Sequence, residues 1–241
     1  MRPPTDSAGS LDPLNGDHSD VFGPELGEFP ETGQSGAEAT DEGMKTGTTT
    51  VGLSTEDGVV LATDMRASAG NMVSSKNVQK VEEIHPTGAI TIAGSVSAAQ
   101  SLIRSLKAEV RLYETRRGED MSMQALSTLM ANFLRSGAFF IVAPLLGGVD
   151  EEGTHVYSID PLGGMTEEEY AVSGSGSQYA LGVLEREYDE SDSVDEARTV
   201  AARAIHSAVE RDVASGNGIN VAEVTADGVE VDRYKEFDDL L

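Results

Sequence analysis

The hydrophobic and polar positions first become regular at Thr49. Thr49 to Ser54 and Val59 to Ala67 read as two strands, and Glu56-Asp57-Gly58 between them predicts a hairpin turn. Val78 to His85 and Ala89 to Ser95 predict a second strand pair around Pro86-Thr87-Gly88. The period then changes. Ala99, Leu102, Leu106, Val110 and Tyr113 recur at helical spacing, and Leu126, Leu129, Met130 and Phe133 mark a second helix. Strands are predicted again at Phe139 to Gly147, His155 to Ile159 and Glu169 to Ser173. The Gly-rich run Ser173 to Ser177 leads into a helix with Leu181 and Leu184. Ser193 and Glu196 form a capping box for a longer helix whose apolar face is Ala197, Ala201, Ala204, Ile205 and Ala208. Asn220 to Thr225 and Val229 to Asp232 close the chain as a hairpin.

The predicted order is four strands, two helices, three strands, two helices and two strands. Two sheets packed face to face, with helices on both outer sides, would bury every apolar face in that order. A doubly wound parallel sheet needs strict strand–helix alternation, which is absent.

Residues 1–47 do not join this pattern. They hold Pro3, Pro4, Pro13, Pro24 and Pro30, with ten acidic against two basic residues and no recurring apolar spacing. That composition predicts a disordered segment. The chain therefore divides into an acidic leader, 1–47, and a folded domain, 48–241.

Charge and composition narrow the function. Forty-two acidic residues against seventeen basic ones leave a formal charge of −25, a surface that repels nucleic acid and anionic membranes. Only five of the seventeen basic residues are Lys. An acidic, Lys-poor surface suits a protein kept soluble in concentrated salt, where repulsion is screened; an ordinary acidic protein is the alternative. The absence of Cys excludes disulfides and thiolate chemistry. No apolar run reaches the roughly 20 residues of a membrane span, and Met1 to Ser10 lacks a secretory signal's apolar stretch. The cytoplasm is the expected compartment.

Candidate chemistry gathers at strand ends. Folding the first hairpin about Asp57 puts Thr48 opposite residues 64 to 66, where Asp64 and Arg66 stand. Folding the second about Thr87 puts Lys80 opposite Gly94. A Thr hydroxyl needs a base, and none of the four His sits in a recognisable motif. A Thr at a newly made N-terminus supplies its own base, because an α-amino group titrates at about 7.7–8.0. A neighbouring Lys80 ammonium would favour the alkoxide, Asp64 would balance that Lys, and the Gly94 N–H would meet the oxyanion. Cutting after Gly47 would release the amine. The same residues also suit a Thr-rich strand, a surface ion pair and a bulge. Ser173 to Ser177 is read as a tight strand-to-helix turn carrying Ser175, since it lacks the Lys of a P-loop. Asp189-Glu190-Ser191-Asp192 is read as a solvated loop. No metal and no cofactor is expected.

Several stretches together resemble one family. Thr46-Gly47-Thr48-Thr49-Thr50-Val51-Gly52 looks like the processing site of catalytic proteasome β subunits, the archaeal type especially. Leu61 to Arg66 resembles the family's acidic-X-Arg strand end, Lys76 to Lys80 its catalytic-Lys segment, and Ile92-Ala93-Gly94 its oxyanion-hole Gly. Gly147 to Asp150, Ser158 to Gly164, Ser173 to Ser177 and Arg211 to Gly216 match in order. The likeness spans residues 46–232, and its specificity lies in the combination.

The resemblance implies an α+β fold, the four-layer αββα sandwich of N-terminal-nucleophile hydrolases. It implies a threonine endopeptidase matured by self-cleavage at Gly47–Thr48, acting on unfolded proteins. Thr48 is then nucleophile and, through its amine, base. Asp64 and Lys80 tune it, Arg66 supports them, and Gly94 binds the oxyanion. Ser175, Asp212 and Ser215 complete the network around the amine. Ala67, Val78, Ile92 and Val96 map onto the specificity pocket, and their small or apolar side chains imply cleavage after hydrophobic residues. The implied partners are other β subunits in heptameric rings, rings of α subunits and a regulatory ATPase. The alternatives are a bacterial-type two-ring relative, a structural β subunit without activity, and an acidic binding module.

Overall fold

The computed structural model describes residues 47–139 and 141–241. The leader expected over 1–47 falls, apart from Gly47, outside the described residues. Six strands come first: β1 (Thr49–Ser54), β2 (Val59–Asp64), β3 (Ala67–Ala69), β4 (Met72–Ser75), β5 (Val81–His85) and β6 (Gly88–Thr91). Helices α1 (Val96–Arg117) and α2 (Met123–Arg135) follow, then β7 (Leu145–Asp150), β8 (Gly153–Ile159), β9 (Met165–Glu167) and β10 (Tyr170–Gly174). Helices α3 (Ser177–Glu187) and α4 (Val194–Val209) precede β11 (Ile219–Thr225) and β12 (Gly228–Tyr234).

Two antiparallel five-stranded sheets, ordered β10-β1-β2-β11-β12 and β5-β6-β7-β8-β9, form the two inner layers. Strand β2, Val-Val-Leu-Ala-Thr-Asp, is buried along its whole length, and its alternation assigns it to two cores. Val59 and Leu61 meet Leu145 and Val156 between the sheets. Val60 and Ala62 face the other way, into a cluster with Ala180, Leu184, Ala201 and Ile205 of α3 and α4. Helices α1 and α2 cover the second sheet through Leu102, Leu106, Leu126 and Met130 over Ile90 and Leu146. The layers are therefore αββα, as the apolar faces require.

Local signals set the helix ends. Ser193 and Glu196 make both halves of the capping box that opens α4. The Ala face of α4 is buried throughout; side chains that short let the helix lie close on β1 and β2. Ser95 caps α1, and Gly118 ends it in the left-handed conformation at φ 73°.

Several predicted elements change. The strand expected over Val59 to Ala67 breaks after Asp64, because Met65 and Arg66 leave the ladder before β3 begins. The strand expected from Val78 starts at Val81, and the one expected from Phe139 starts at Leu145, with Val142 making only a single bridge to Gly94. The register of the second hairpin also differs. His85 pairs with Gly88, a shift lies between Glu83 and His85, and Val81 pairs with Thr91. Lys80 consequently lies opposite Ile92, whose N–H bonds the Lys80 carbonyl at 2.7 Å, and not opposite Gly94.

Candidate active site

The site is built where β1 begins and β2 ends. Thr50 pairs with Thr63, a register that brings Thr48 and Asp64 to the same end of the sheet, within the predicted span. Asp64 is fully buried, and its carboxylate is saturated with donors. Oδ1 accepts from Lys80 Nζ at 2.7 Å and the Thr49 N–H at 3.0 Å; Oδ2 accepts from the N–H groups of Arg66 at 2.9 Å and Gly216 at 3.0 Å. A buried carboxylate held by four donors is fixed in place.

Lys80 is almost as buried as its partner. Its ammonium donates to Thr48 Oγ1 at 2.8 Å as well as to Asp64. Burial holds Lys80 below the ordinary lysine range, against the opposing pull of Asp64. Thr48 Oγ1 in turn donates to the Gly47 carbonyl at 2.7 Å. Donors therefore run in one direction, from Lys80 through the Thr48 hydroxyl to the carbonyl of the Gly47–Thr48 peptide bond. The Gly47 N–H donates to Ser68 Oγ at 3.4 Å.

The second network surrounds the Thr48 nitrogen. Its N–H donates to Ser175 Oγ at 3.2 Å, and Ser175 Oγ donates to Asp212 Oδ2 at 2.6 Å. Ser215 Oγ donates to the same carboxylate oxygen at 2.6 Å and lies 2.7 Å from Thr49 Oγ1. Gly174 places Ser175 there. Its φ is 93°, and a Cβ on it would stand 2.0 Å from the Thr48 carbonyl oxygen, so no L side chain fits the turn into α3. Arg66 holds the opposite loop by donating from Nε to Asn217 Oδ1 at 3.0 Å and from Nη1 to the Val213 carbonyl at 2.7 Å.

Gly94 lines the same pocket as Thr48. Its φ is 115°, and a Cβ would fall 1.8 Å from the Ile141 carbonyl oxygen. The flanking bonds to this bridge come from the Ser95 N–H and the Ala93 carbonyl, so the Gly94 N–H takes no part in them. The pocket, of about 220 Å³, is also lined by Ala67, Val78, Ile92 and Val96, all four of the predicted specificity residues. Sequence reasoning missed Glu82, Gln100, Ile103 and Arg104 on its wall. The α1 residues among them follow from helical spacing after Val96; Glu82, on β5, carries no signal of its own.

Thr48, Asp64, Lys80, Ser175, Asp212 and Ser215 therefore form one hydrogen-bonded constellation, with Gly94 beside it. The profile of one family, described as a proteasome subunit, matches residues 44–224. A protein of Haloquadratum walsbyi named proteasome subunit beta is 70% identical over 243 aligned positions, covering all of both chains. The chain belongs to the proteasome family, as a β subunit of the archaeal type. A Haloferax volcanii protein of the same name is 69% identical over 242 positions, again across both whole chains. One from Natrialba magadii is 59% identical over 226 positions, 93% of each chain. As a proteasome β subunit the chain is a component of a protease, and Thr48 and Lys80 of the constellation line the same pocket as Ala67, Val78, Ile92 and Val96.

Proposed function

We propose that this β subunit is a threonine-type endopeptidase of the proteasome core particle, matured by cleavage between Gly47 and Thr48. The observation that carries the reading is the 2.8 Å contact of Lys80 Nζ with Thr48 Oγ1, made by a lysine whose other contact is the buried Asp64.

Two steps follow from the geometry. In the precursor, the Thr48 hydroxyl lies against the Gly47 carbonyl. Attack of Oγ1 on that carbon moves the Gly47 acyl group from nitrogen to oxygen, and the hydroxyl proton goes to the departing nitrogen. Water then hydrolyses the ester, which leaves Gly47 as a carboxylate and Thr48 as a free amine. In the mature chain that amine takes the proton from Oγ1 as it attacks a substrate carbonyl. Lys80 stabilises the oxygen as it loses its proton, and the Gly94 N–H meets the oxyanion. Ser175, with Asp212 and Ser215 behind it, orients the amine.

The small and apolar side chains at 67, 78, 92 and 96 favour a hydrophobic residue before the cut bond. Particles assembled with α subunits should hydrolyse a peptide with Leu or Tyr at that position about 10-fold or more faster, by kcat/KM, than one with Asp. Equal rates would remove the pocket from the account. Substrates would be unfolded chains entering heptameric β rings capped by α rings, with a regulatory ATPase supplying them.

The charge of −25 and the scarcity of Lys support a protein adapted to concentrated salt. Dilution from molar to about 0.1 M salt lengthens the Debye length from about 3 to 10 Å and should lower the melting temperature or dissociate the particle. Unchanged melting across that range contradicts the adaptation.

A further inference from the structure

Lys80 belongs to no strand. Strand β4 ends at Ser75 and β5 begins at Val81, so residues 76–80 cross from the small β3–β4 hairpin to the second sheet without a ladder of their own. Something other than strand pairing must fix this segment, because the 2.8 Å contact to Thr48 depends on it. Two backbone bonds help: the Val78 N–H donates to the Met65 carbonyl at 3.0 Å, and the Lys80 carbonyl accepts from Ile92. Two further grips come from side chains of the other sheet.

Asn220 supplies the central one. It stands in β11 between Thr63 of β2 and Arg233 of β12, in one cross-strand row. Ile219, Val221 and Ala222 around it are buried apolar residues, and Asn220 itself is 0% exposed. Its Nδ2 donates to Thr63 Oγ1 at 2.9 Å, to the Val78 carbonyl at 3.2 Å and to the Asp64 carbonyl at 3.4 Å. The two carbonyls can only accept, so the amide orientation is set by chemistry. One side-chain amide thus joins the backbone of Asp64 to the backbone two residues before Lys80. Next in the row, Arg233 Nη2 donates to the Asn77 carbonyl at 3.1 Å and to Asn77 Oδ1 at 2.7 Å. Asn220 Oδ1 is buried and has no partner among the described residues. An amide with an unpaired buried oxygen is a costly choice for a strand interior, and the bonds to the Lys80 segment are what it provides in return.

We propose that Asn220 is the positioning residue of Lys80: its amide fixes the Asp64 strand end and the Lys80 segment relative to each other, and so sets the Lys80–Thr48 contact. Arg233 is the outer, exposed half of the same clamp. The proposal rests on the threonine-protease reading of Thr48 and Lys80.

The test uses particles co-assembled with α subunits and assayed well below their melting temperature. Asn220→Leu keeps the volume and removes the amide. It should lower kcat about 10-fold or more, as displacement of a catalytic group by about 1 Å does, with KM within about twofold of wild type. Arg233→Met should lower kcat less and in the same selective way, and the double variant should lose more than the product of the two, since both grips hold one segment. An assembled Asn220→Leu particle that melts earlier but keeps its kcat has lost only packing, and the proposal is then wrong. Should Asn220→Leu not assemble, Arg233→Met decides, and an unchanged kcat there overturns the clamp. Full kcat in either variant beside an inactive Lys80→Ala particle overturns the positioning role alone. Turnover that survives Lys80→Ala overturns the reading beneath it.

Discussion

Thr48→Ala leaves the chain at its full 241 residues and abolishes peptide hydrolysis by the assembled particle. The substitution removes the one hydroxyl that lies against the Gly47 carbonyl and receives the Lys80 ammonium. Both proposed reactions use that oxygen, cleavage of the Gly47–Thr48 bond and turnover of substrate. The expected loss in rate exceeds about 10³-fold, because groups that act as a unit fail together when the nucleophile goes. The fold itself should survive. Asp64 and Lys80 keep each other. Gel electrophoresis and a fluorogenic peptide assay measure both outcomes. A trimmed chain or a working particle would remove Thr48 from the chemistry.

Lys80→Ala is expected to cost about as much activity for a different reason. The nucleophile stays, but no cation remains beside it to stabilise the oxygen as its proton leaves. Removing one member of a buried pair also costs about 3–5 kcal/mol of stability when the other charge is left alone. Asp64 is not left wholly alone, since the N–H groups of Thr49, Arg66 and Gly216 still reach it. The variant should therefore assemble with a lowered melting temperature. Adding Asp64→Asn should recover neither stability nor turnover, because its NH2 would face at least one of the backbone N–H donors that hold the two carboxylate oxygens. A Lys80→Ala particle with near-normal kcat would show that the contact to Thr48 is incidental.

Particular residues show how far the chain alone leads. The turn between β1 and β2 and the α4 capping box are local, made by neighbours in sequence, and both are legible. The αββα layering followed from the order of apolar faces. Strand β9 was not legible, because Met165, Thr166 and Glu167 are all exposed and leave no alternation to read. The short β3–β4 hairpin, with Met72 and Val73 facing solvent, gives no better signal. Register counting puts Lys80 two residues from its partner, because the tight His85–Gly88 turn and the shift before it are not visible as composition.

The site divides the same way. Thr48 and Asp64 come together by counting along one hairpin. Ser175, Asp212 and Ser215 arrive from elements far along the chain, so only their resemblance to a family pattern singled them out. Asn220 carries a signal of its own. It is a polar residue between the apolar Ile219 and the pair Val221-Ala222, where a side chain without a specific partner would be a liability.

One measurement bears most directly on the central claim that Thr48 becomes a free N-terminal nucleophile. The β chain is taken from particles assembled with α subunits, and its intact mass is determined beside that of the Thr48→Ala variant. The mechanism requires a wild-type chain of residues 48–241 with Thr48 at its N-terminus, and a variant that keeps residues 1–47. A proteolytically active wild-type particle whose β chains all retain Gly47 in peptide linkage to Thr48 would contradict it.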